Sequence, residues 1–171
     1  MKISFKNAVG TPIVLPEHRR PLTTVKDVVI DTERGKIVAF VTDKARNFVL
    51  SPIDIRSWTN FITINDKDAV IEGKDILRVA EIQKQGLGLM HKKVFTKNDE
   101  FLGKVYDFEF STKTFEILSI LCIKTFLGLI STQSRIIPKN QIIEITKEKI
   151  IVKENLKTVK EKASETSLAV S

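Results

Sequence analysis

The chain has 171 residues, of which 42% are hydrophobic, a composition that supports a packed core and excludes a wholly disordered chain. Its formal net charge is +7, but acidic and basic residues are interleaved along the sequence, so the charge is not gathered into a basic arm of the kind that binds nucleic acid. The single cysteine, Cys122, excludes an internal disulfide and favours a reducing, cytoplasmic location.

The first half of the chain shows a series of short strand patterns. VKDVVID (25–31) alternates apolar and polar residues, DTERG (31–35) is typical of a turn, and KIVAFVTD (36–43) is rich in β-branched residues. Together these segments predict a β-hairpin. Further strands are predicted in RNFVLSP, FITIND and AVIE.

The second half repeats this plan after a connecting segment. Residues 74–88 mix helical and alternating spacing, which predicts either a short helix or a strand, followed by a Gln/Gly linker. A second hairpin is predicted from VYDFEFS and FEILSILCI, and later strands from RIIP, IIEIT and KIIVKE. The apolar stretch 117–130 contains Lys124 and is too short to span a bilayer, so we interpret it as two buried strands meeting at a turn. Residues 155–171 are polar and predict a frayed helix or a flexible tail.

Residues 11–41 align with residues 91–121 at a constant offset of 80 without a gap. The apolar pattern is kept throughout, and the identical pairs are Val14/Val94, Leu22/Leu102, Val25/Val105, Asp27/Asp107, Thr32/Thr112 and Ile37/Ile117. Two copies indicate two similar domains rather than a solenoid. We therefore predict an all-β protein with domains at 1–80 and 81–154 and a tail at 155–171. Short, evenly spaced strands favour small barrels, in which closure removes exposed sheet edges.

The second half, LMHKKVFTKNDEFLGKVYDFEF followed by RIIPKNQIIEITKEKIIVKE, resembles the PRC-barrel family. The first half resembles it more loosely, with Leu22-Thr23-Thr24-Val25 where the family often has L-G-K-V. The resemblance implies two tandem small β-barrels, related to the cytoplasmic domain of the reaction-centre H subunit and to the C-terminal barrel of the ribosome maturation factor RimM.

The family has no shared active site, so the resemblance implies a non-enzymatic docking module without catalytic residues. We expect an adaptor that binds another protein, with docking at a membrane surface as one possibility and no small-molecule substrate. The alternative is an RNA- or ribosome-associated assembly factor, which the net charge and the RimM-type barrel favour.

Aromatic and apolar residues beyond the needs of a small core are the first candidates for partner binding. These are Trp58, Phe61, Phe126 and Leu127. Tryptophan is enriched at binding hot spots, and an apolar hairpin tip can dock on a partner or a membrane surface. The alternative interpretation is that these side chains cap a barrel or pack one barrel against the other.

Two basic clusters are the second candidates. Arg19 and Arg20 follow His18, and Lys92 and Lys93 follow His91. Such clusters can contact phosphate or acidic partners, but neighbouring acidic residues also fit an ordinary solvated surface.

The remaining polar features favour structural roles. Asp27 and Asp107 could bind a metal or transfer protons, but duplication alone explains an equivalent pair. Cys122 lies in an apolar run without an evident activating base. The two histidines are isolated, and no spacing is typical of a metal site or a nucleotide-binding loop. We therefore expect no metal and no cofactor.

Overall fold

The protein, described here from a computed structural model, is mostly β. The described residues are 1–17, 20–126 and 129–153, with the backbone alone at 125–126 and 129–133. The strands are β1 (Lys2–Ser4), β2 (Pro12–Val14), β3 (Thr23–Thr24), β4 (Asp27–Asp31), β5 (Lys36–Asp43), β6 (Phe48–Leu50), β7 (Ile55–Trp58), β8 (Ile62–Ile64), β9 (Val70–Glu72), β10 (Lys93–Thr96), β11 (Phe101–Ser111), β12 (Ile117–Phe126), β13 (Leu129–Pro138), β14 (Ile142–Ile145) and β15 (Lys149–Val152). The α-helices are α1 (Phe5–Ala8) and α2 (Leu77–Gln85).

Both predicted hairpins are confirmed as β4–β5 and β11–β12, and the other predicted strands are present. The segment 74–88 forms the helix α2, so the helical interpretation is confirmed and the strand is wrong. Gly86 ends this helix in the left-handed conformation, which glycine adopts without steric cost. The expected turn of the apolar hairpin falls at residues 127–128, and the predicted tail at residues 155–171; both lie outside the described residues.

The strands form three sheets. One has the order β13-β12-β11-β10-β15-β14, with β1 added to β11; the others are β3-β2-β8-β7 and β4-β5-β6-β9. Within the described ranges, none of these sheets closes on itself, so the mostly β fold is confirmed but the two predicted small barrels are not. The N-terminal strand β1 pairs with β11, so the beginning of the chain belongs to the sheet of the second half.

The register of the two hairpins shows that the repeat is structural. In β4–β5, Asp27 lies opposite Val41 and Ile30 opposite Ile37, with a bulge between Val29 and Ile30. Each of these pairs, and the bulge, recurs 80 residues later in β11–β12. The two halves therefore share one hairpin geometry down to the irregular position.

The alignment without a gap is wrong at the first strand of each copy. Val25 donates to Thr11 and accepts from Gly10, whereas Val105 donates to Lys92 and accepts from His91. Corresponding residues of the two copies are therefore 81 apart in the first strand and 80 apart in the hairpins β4–β5 and β11–β12. The first copy has one extra residue in the connection, and Val94 corresponds to the buried Ile13 rather than to Val14.

The two halves meet where their hairpin turns pair. The Ile37 N–H donates to the Phe115 carbonyl at 2.8 Å, and the Ile117 N–H donates to the Gly35 carbonyl at 2.9 Å. The two donors are 80 residues apart, and so are the two acceptors. The two hydrogen bonds are therefore related by an approximate twofold axis between the halves. Gly35 and Phe115, at equivalent positions, are both left-handed with φ of 62° and 58°.

One hydrophobic core runs across this junction. Phe40 of the first half contacts Phe110 and Phe115 of the second half, with ring centroids 6.3 and 5.8 Å apart. The same cluster of buried residues extends from Ala8 to Val152. Burial of these side chains away from water is the main force that holds the halves together.

A second, smaller core lies on the other face of the first-half hairpin. Val79 and Ile82 of α2 pack against apolar side chains of β4, β5 and β6. The Arg78 guanidinium also forms a 2.6 Å ion pair with Asp31, whose side chain is only 2% exposed. Helix α2 is therefore held by apolar contact and by one partly buried charge pair.

Gly103 is required in β11 because there is no room for a side chain. Its φ is +127°, and an added Cβ would lie against the backbone carbonyl of Ile123 on the neighbouring strand. We expect Gly103→Ala to lower the free energy of unfolding by roughly 1–3 kcal/mol or more, since both strain and displacement of β12 oppose it. Urea unfolding measures the change. Gly88→Ala is the control because nothing lies within 4 Å of its added Cβ, and an equal loss in both variants would contradict the explanation.

The Asp31–Arg78 pair predicts a pH-dependent stability. Burial raises the pKa of Asp31, but the hydrogen bonds and charges of Arg78 and Arg34 outweigh it, and the net shift is downward. Because the pKa of Asp31 is lower in the folded state, its charged carboxylate stabilises the fold when the pH is above the ordinary aspartate pKa. This stabilisation is lost as the pH falls through the folded-state pKa. We expect Asp31→Asn to cost roughly 1–3 kcal/mol at pH 7.

The cost of Asp31→Asn relative to the wild type shrinks as the pH falls through the range below 3.8. Urea unfolding at pH 7 and at acidic pH compares the two proteins. Replacement of the exposed Asp54 by Asn is the control. A cost that stays constant with pH would contradict the assigned ion pair.

Candidate interaction surface

Phe61 lies in the short loop between β7 and β8, whose last and first residues, Trp58 and Ile62, face each other across the hairpin. The loop is closed by the Thr59 N–H, which donates to the Phe61 carbonyl at 3.0 Å. Trp58 and Ile62 are buried, whereas the Phe61 side chain is 45% exposed. The hairpin therefore presents one large aromatic side chain to solvent.

This ring borders a groove on the outer face of the sheet β3-β2-β8-β7. In β2, the fully buried Ile13 faces the core, so its neighbours Pro12 and Val14 face outward. Parallel pairing of β2 with β8 sets Thr63 beside Val14. The groove encloses about 700 Å³ and is lined by Pro12, Val14, Leu15, Pro16, Pro21, Arg56, Ser57, Phe61 and Thr63. We call it the Phe61 groove.

The chemistry of the Phe61 groove is apolar with one basic group. Three prolines restrict the backbone of its wall, so little conformational entropy is lost when a partner binds. Arg56 is exposed beside Phe61 and can pair with a carboxylate. The groove therefore fits a short apolar segment that carries an acidic side chain.

Trp58 does not line this surface, because it is only 9% exposed. Its ring lies edge-on to Phe40 at 5.1 Å and to Phe110 at 5.7 Å, so it packs one half against the other. The contacts thus match the packing interpretation of this tryptophan. Phe126 is the last residue of β12, and neither its side chain nor Leu127 is among the described parts of the chain.

The basic clusters are placed differently in the two halves. Arg20 is exposed next to Pro21 of the groove, while His18 and Arg19 lie outside the described residues. Lys93 is exposed, but Lys92 is only 9% exposed and donates its ammonium proton to the Thr146 carbonyl. Burial lowers the pKa of Lys92, with the charge of Glu148 opposing this. Lys92 is therefore a structural residue rather than part of a solvent-exposed cluster.

The equivalent aspartates perform equivalent local roles. Asp27 accepts the N–H of Val28, and Asp107 accepts the N–H of Phe108, each at 2.9 Å. Asp107 also accepts the Lys6 N–H at 3.2 Å, which ties α1 to β11. These contacts fit the interpretation of duplicated structural carboxylates.

Asp27 differs from Asp107 in bordering a cavity. Its carboxylate is partly exposed and forms a 2.7 Å ion pair with Lys44. The cavity, of about 360 Å³, lies between β4, the end of α2 and the linker at residues 86–90. Its other walls are largely apolar side chains, among them Phe5 and Phe108.

Cys122 is fully buried on the core side of β12. Burial raises the pKa of its thiol to about 11, so it is protonated at neutral pH and unreactive as a nucleophile. Among the residues that the structure describes, no three histidine, cysteine or acidic side chains converge as metal ligands. No helix within those residues has the length and apolarity needed to cross a membrane.

Comparison with known proteins identifies the second half. A search of curated proteins found no match. Residues 89–158 match the family model of the PRC-barrel domain, a range that contains the whole sheet from β10 to β15. The second half of this chain is therefore a PRC-barrel domain.

Proposed function

We propose that the protein is a non-enzymatic cytoplasmic adaptor that binds another protein through the Phe61 groove. The observation that carries this proposal is the exposure of Phe61 beside an outward-facing set of prolines and aliphatic side chains. Exposed apolar surface of this kind, bordered by polar groups, is typical of interaction sites. The partner segment is apolar and includes an acidic residue that pairs with Arg56.

The PRC-barrel domain in the second half supports a docking role rather than catalysis. The hairpin β4–β5 has the register of β11–β12, which supports a second PRC-like module in the first half. We propose that the two modules act as one body, because their hairpin turns and core residues join them. One module then carries the Phe61 groove, and the other provides a second face for assembly or for a membrane surface.

An RNA- or ribosome-associated role is the second candidate, and the net charge of +7 favours it. Binding to phosphates releases counterions, so affinity for RNA falls steeply as salt rises. An apolar groove predicts the opposite, because burial of apolar surface depends little on salt screening. Salt dependence therefore separates the two candidates.

A photo-reactive amino acid at position 61 tests the groove directly. We expect it to crosslink one or two proteins in lysate of the native cell. We also expect these crosslinked products to persist after nuclease treatment. The same amino acid at Ile53, which is 89% exposed in the same half, is the matched control. Crosslinks of equal yield at both positions would contradict a specific groove. Products that vanish with nuclease would favour the RNA-associated role.

Affinity for the crosslinked partner then tests the contribution of the ring. We expect Phe61→Asp to weaken binding about tenfold or more, because truncation of a hot-spot residue costs at least about 1–2 kcal/mol. Ile53→Asp leaves the affinity unchanged, and circular dichroism verifies that both variants fold. Equal affinity of the Phe61→Asp variant and the wild type would overturn the proposed site.

A further inference from the structure

The sheet that carries the Phe61 groove has a counterpart in the second half. In the first half, β2 pairs in parallel with β8, which sets Ile13 beside Ile62. In the second half, β10 pairs in parallel with β15, which sets Val94 beside Ile150. All four of these side chains are fully buried. The outward-facing residues next to them in each strand therefore form corresponding surfaces of the two halves.

The corresponding surface of the second half carries a row of lysines. Lys93 on β10 lies beside Lys104 on β11 and beside Lys149 on β15. Each lysine is next to a buried residue of its own strand, so all three side chains point outward. Lys93 and Lys104 are exposed, and Lys149 is partly exposed. The sheet thus brings together positive charges from three adjacent strands.

This lysine row is unfavourable for the fold itself. Like charges directly opposite each other on neighbouring strands destabilise a sheet. Lys149 lies 3.8 Å from the carboxylate of Asp99, but this carboxylate is 85% exposed, so the pair offsets little of the repulsion. The equivalent positions of the first half hold Pro12, Thr24 and Phe61, so the sheet geometry does not require charge there. The lysine row therefore indicates an anionic ligand rather than a structural role.

An aromatic pair lies next to the lysine row. Phe95 follows Lys93 by two residues in β10 and lies opposite Phe101 of β11, with ring centroids 5.3 Å apart. Both side chains are half-buried. On its other side, Phe95 lies beside Ile151 of β15. The two rings and the isoleucine therefore form an apolar strip that runs parallel to the lysine row.

Lysine ammonium groups lie over these rings. The Lys149 Nζ is 5.6 Å from the ring centroid of Phe95, and the Lys124 Nζ is 5.9 Å from that of Phe101. A cation in this position is attracted by the negative face of the ring. The rings thus present their faces to the side from which the lysines approach. Because a lysine side chain is flexible, its ammonium group can move to a phosphate and leave the ring face to a base.

Single-stranded nucleic acid matches this combination of groups. Its bases stack on aromatic side chains, while its phosphates pair with lysines alongside. An anionic membrane surface would also attract the lysine row, but insertion into it requires apolar side chains that protrude beyond the charges. Here the ammonium groups lie over the rings instead. The geometry therefore favours stacking on the rings over insertion of the rings.

We propose that the outer face of β10, β11 and β15 binds single-stranded nucleic acid. Its bases stack on Phe95 and Phe101, and its phosphates pair with Lys93, Lys104 and Lys149. This site is separate from the Phe61 groove, which lies on the sheet β3-β2-β8-β7. It gives the second candidate function, an association with RNA, a defined location.

Fluorescence anisotropy with the full chain measures this binding. The probes are labelled oligouridine and oligothymidine of about 12 nucleotides, within the roughly 4–16 nucleotides that a small single-strand-binding domain covers. We expect the logarithm of the affinity to fall with the logarithm of the salt concentration with a slope of about −2, the value for three phosphate contacts on a single strand. Binding of either strand supports the site, and the strand that binds more tightly identifies the ligand.

Substitutions separate stacking from charge. We expect Phe95→Leu to weaken binding about fivefold or more, because an aliphatic side chain does not stack on a base, whereas Phe95→Tyr retains the affinity. Lys93→Gln makes the salt slope shallower by about 0.7, the contribution of one phosphate contact. Lys84→Gln is the matched control, since it removes the same charge from an exposed position on α2 and leaves the salt slope unchanged.

Circular dichroism verifies that each variant folds. Equal affinities of the wild type and the Phe95→Leu variant would overturn the proposed stacking. Binding to vesicles that contain phosphatidylserine, without binding to either oligonucleotide, would identify an anionic membrane as the ligand and would also overturn the proposal. The Phe61 groove is tested by crosslinking at position 61, so the failure of one site is distinguishable from the failure of the other.

Discussion

The two hydrogen bonds between the hairpin turns set the relation between the halves, and the other contacts depend on them. Each turn offers its left-handed residue's carbonyl to the isoleucine N–H of the other turn. A phenylalanine at positive φ is strained by roughly 1–3 kcal/mol. At Phe115 this strain is offset by packing of the ring against Phe40, and burial of a large aromatic side chain is of similar magnitude. Gly35, at the equivalent turn, adopts the same conformation without strain.

This junction joins the duplicated halves around one shared hydrophobic core. Strand β1 joins the second sheet, and Trp58 lies between aromatic rings from both halves. Side chains that would line a binding site on an isolated half are therefore buried in the contact between the two halves. Surfaces for a partner remain on the outer faces of the sheets, which is why Phe61 rather than its neighbour Trp58 borders the candidate groove.

Local patterns predicted much of this fold, because alternation of apolar residues and turn composition act over short distances. Both hairpins and their equivalence were accessible in this way. The contribution of β1 to the second sheet was not, since a three-residue strand carries little pattern and its pairing is long-range. The burial of Lys92 also depends on a distant carbonyl, that of Thr146. At the candidate site, Phe61 was predicted, but the role of the prolines at positions 12, 16 and 21 is evident only once the fold brings them together in one groove.

The differences between the copies show how duplication separates roles on one scaffold. The face of β4 and β5 that lies beneath α2 is apolar at Val29 and Ala39, so the apolar side of the helix buries both side chains. At the equivalent positions, Glu109 and Ser119 share a 2.6 Å hydrogen bond, and Lys2 of β1 lies 2.9 Å from the same carboxylate. An apolar helix side on that face would remove the carboxylate from water without a new partner, which is costly. The second hairpin therefore does not repeat the fully apolar face that α2 covers in the first half, and its charged group is stabilised instead by Ser119 and by Lys2 of β1.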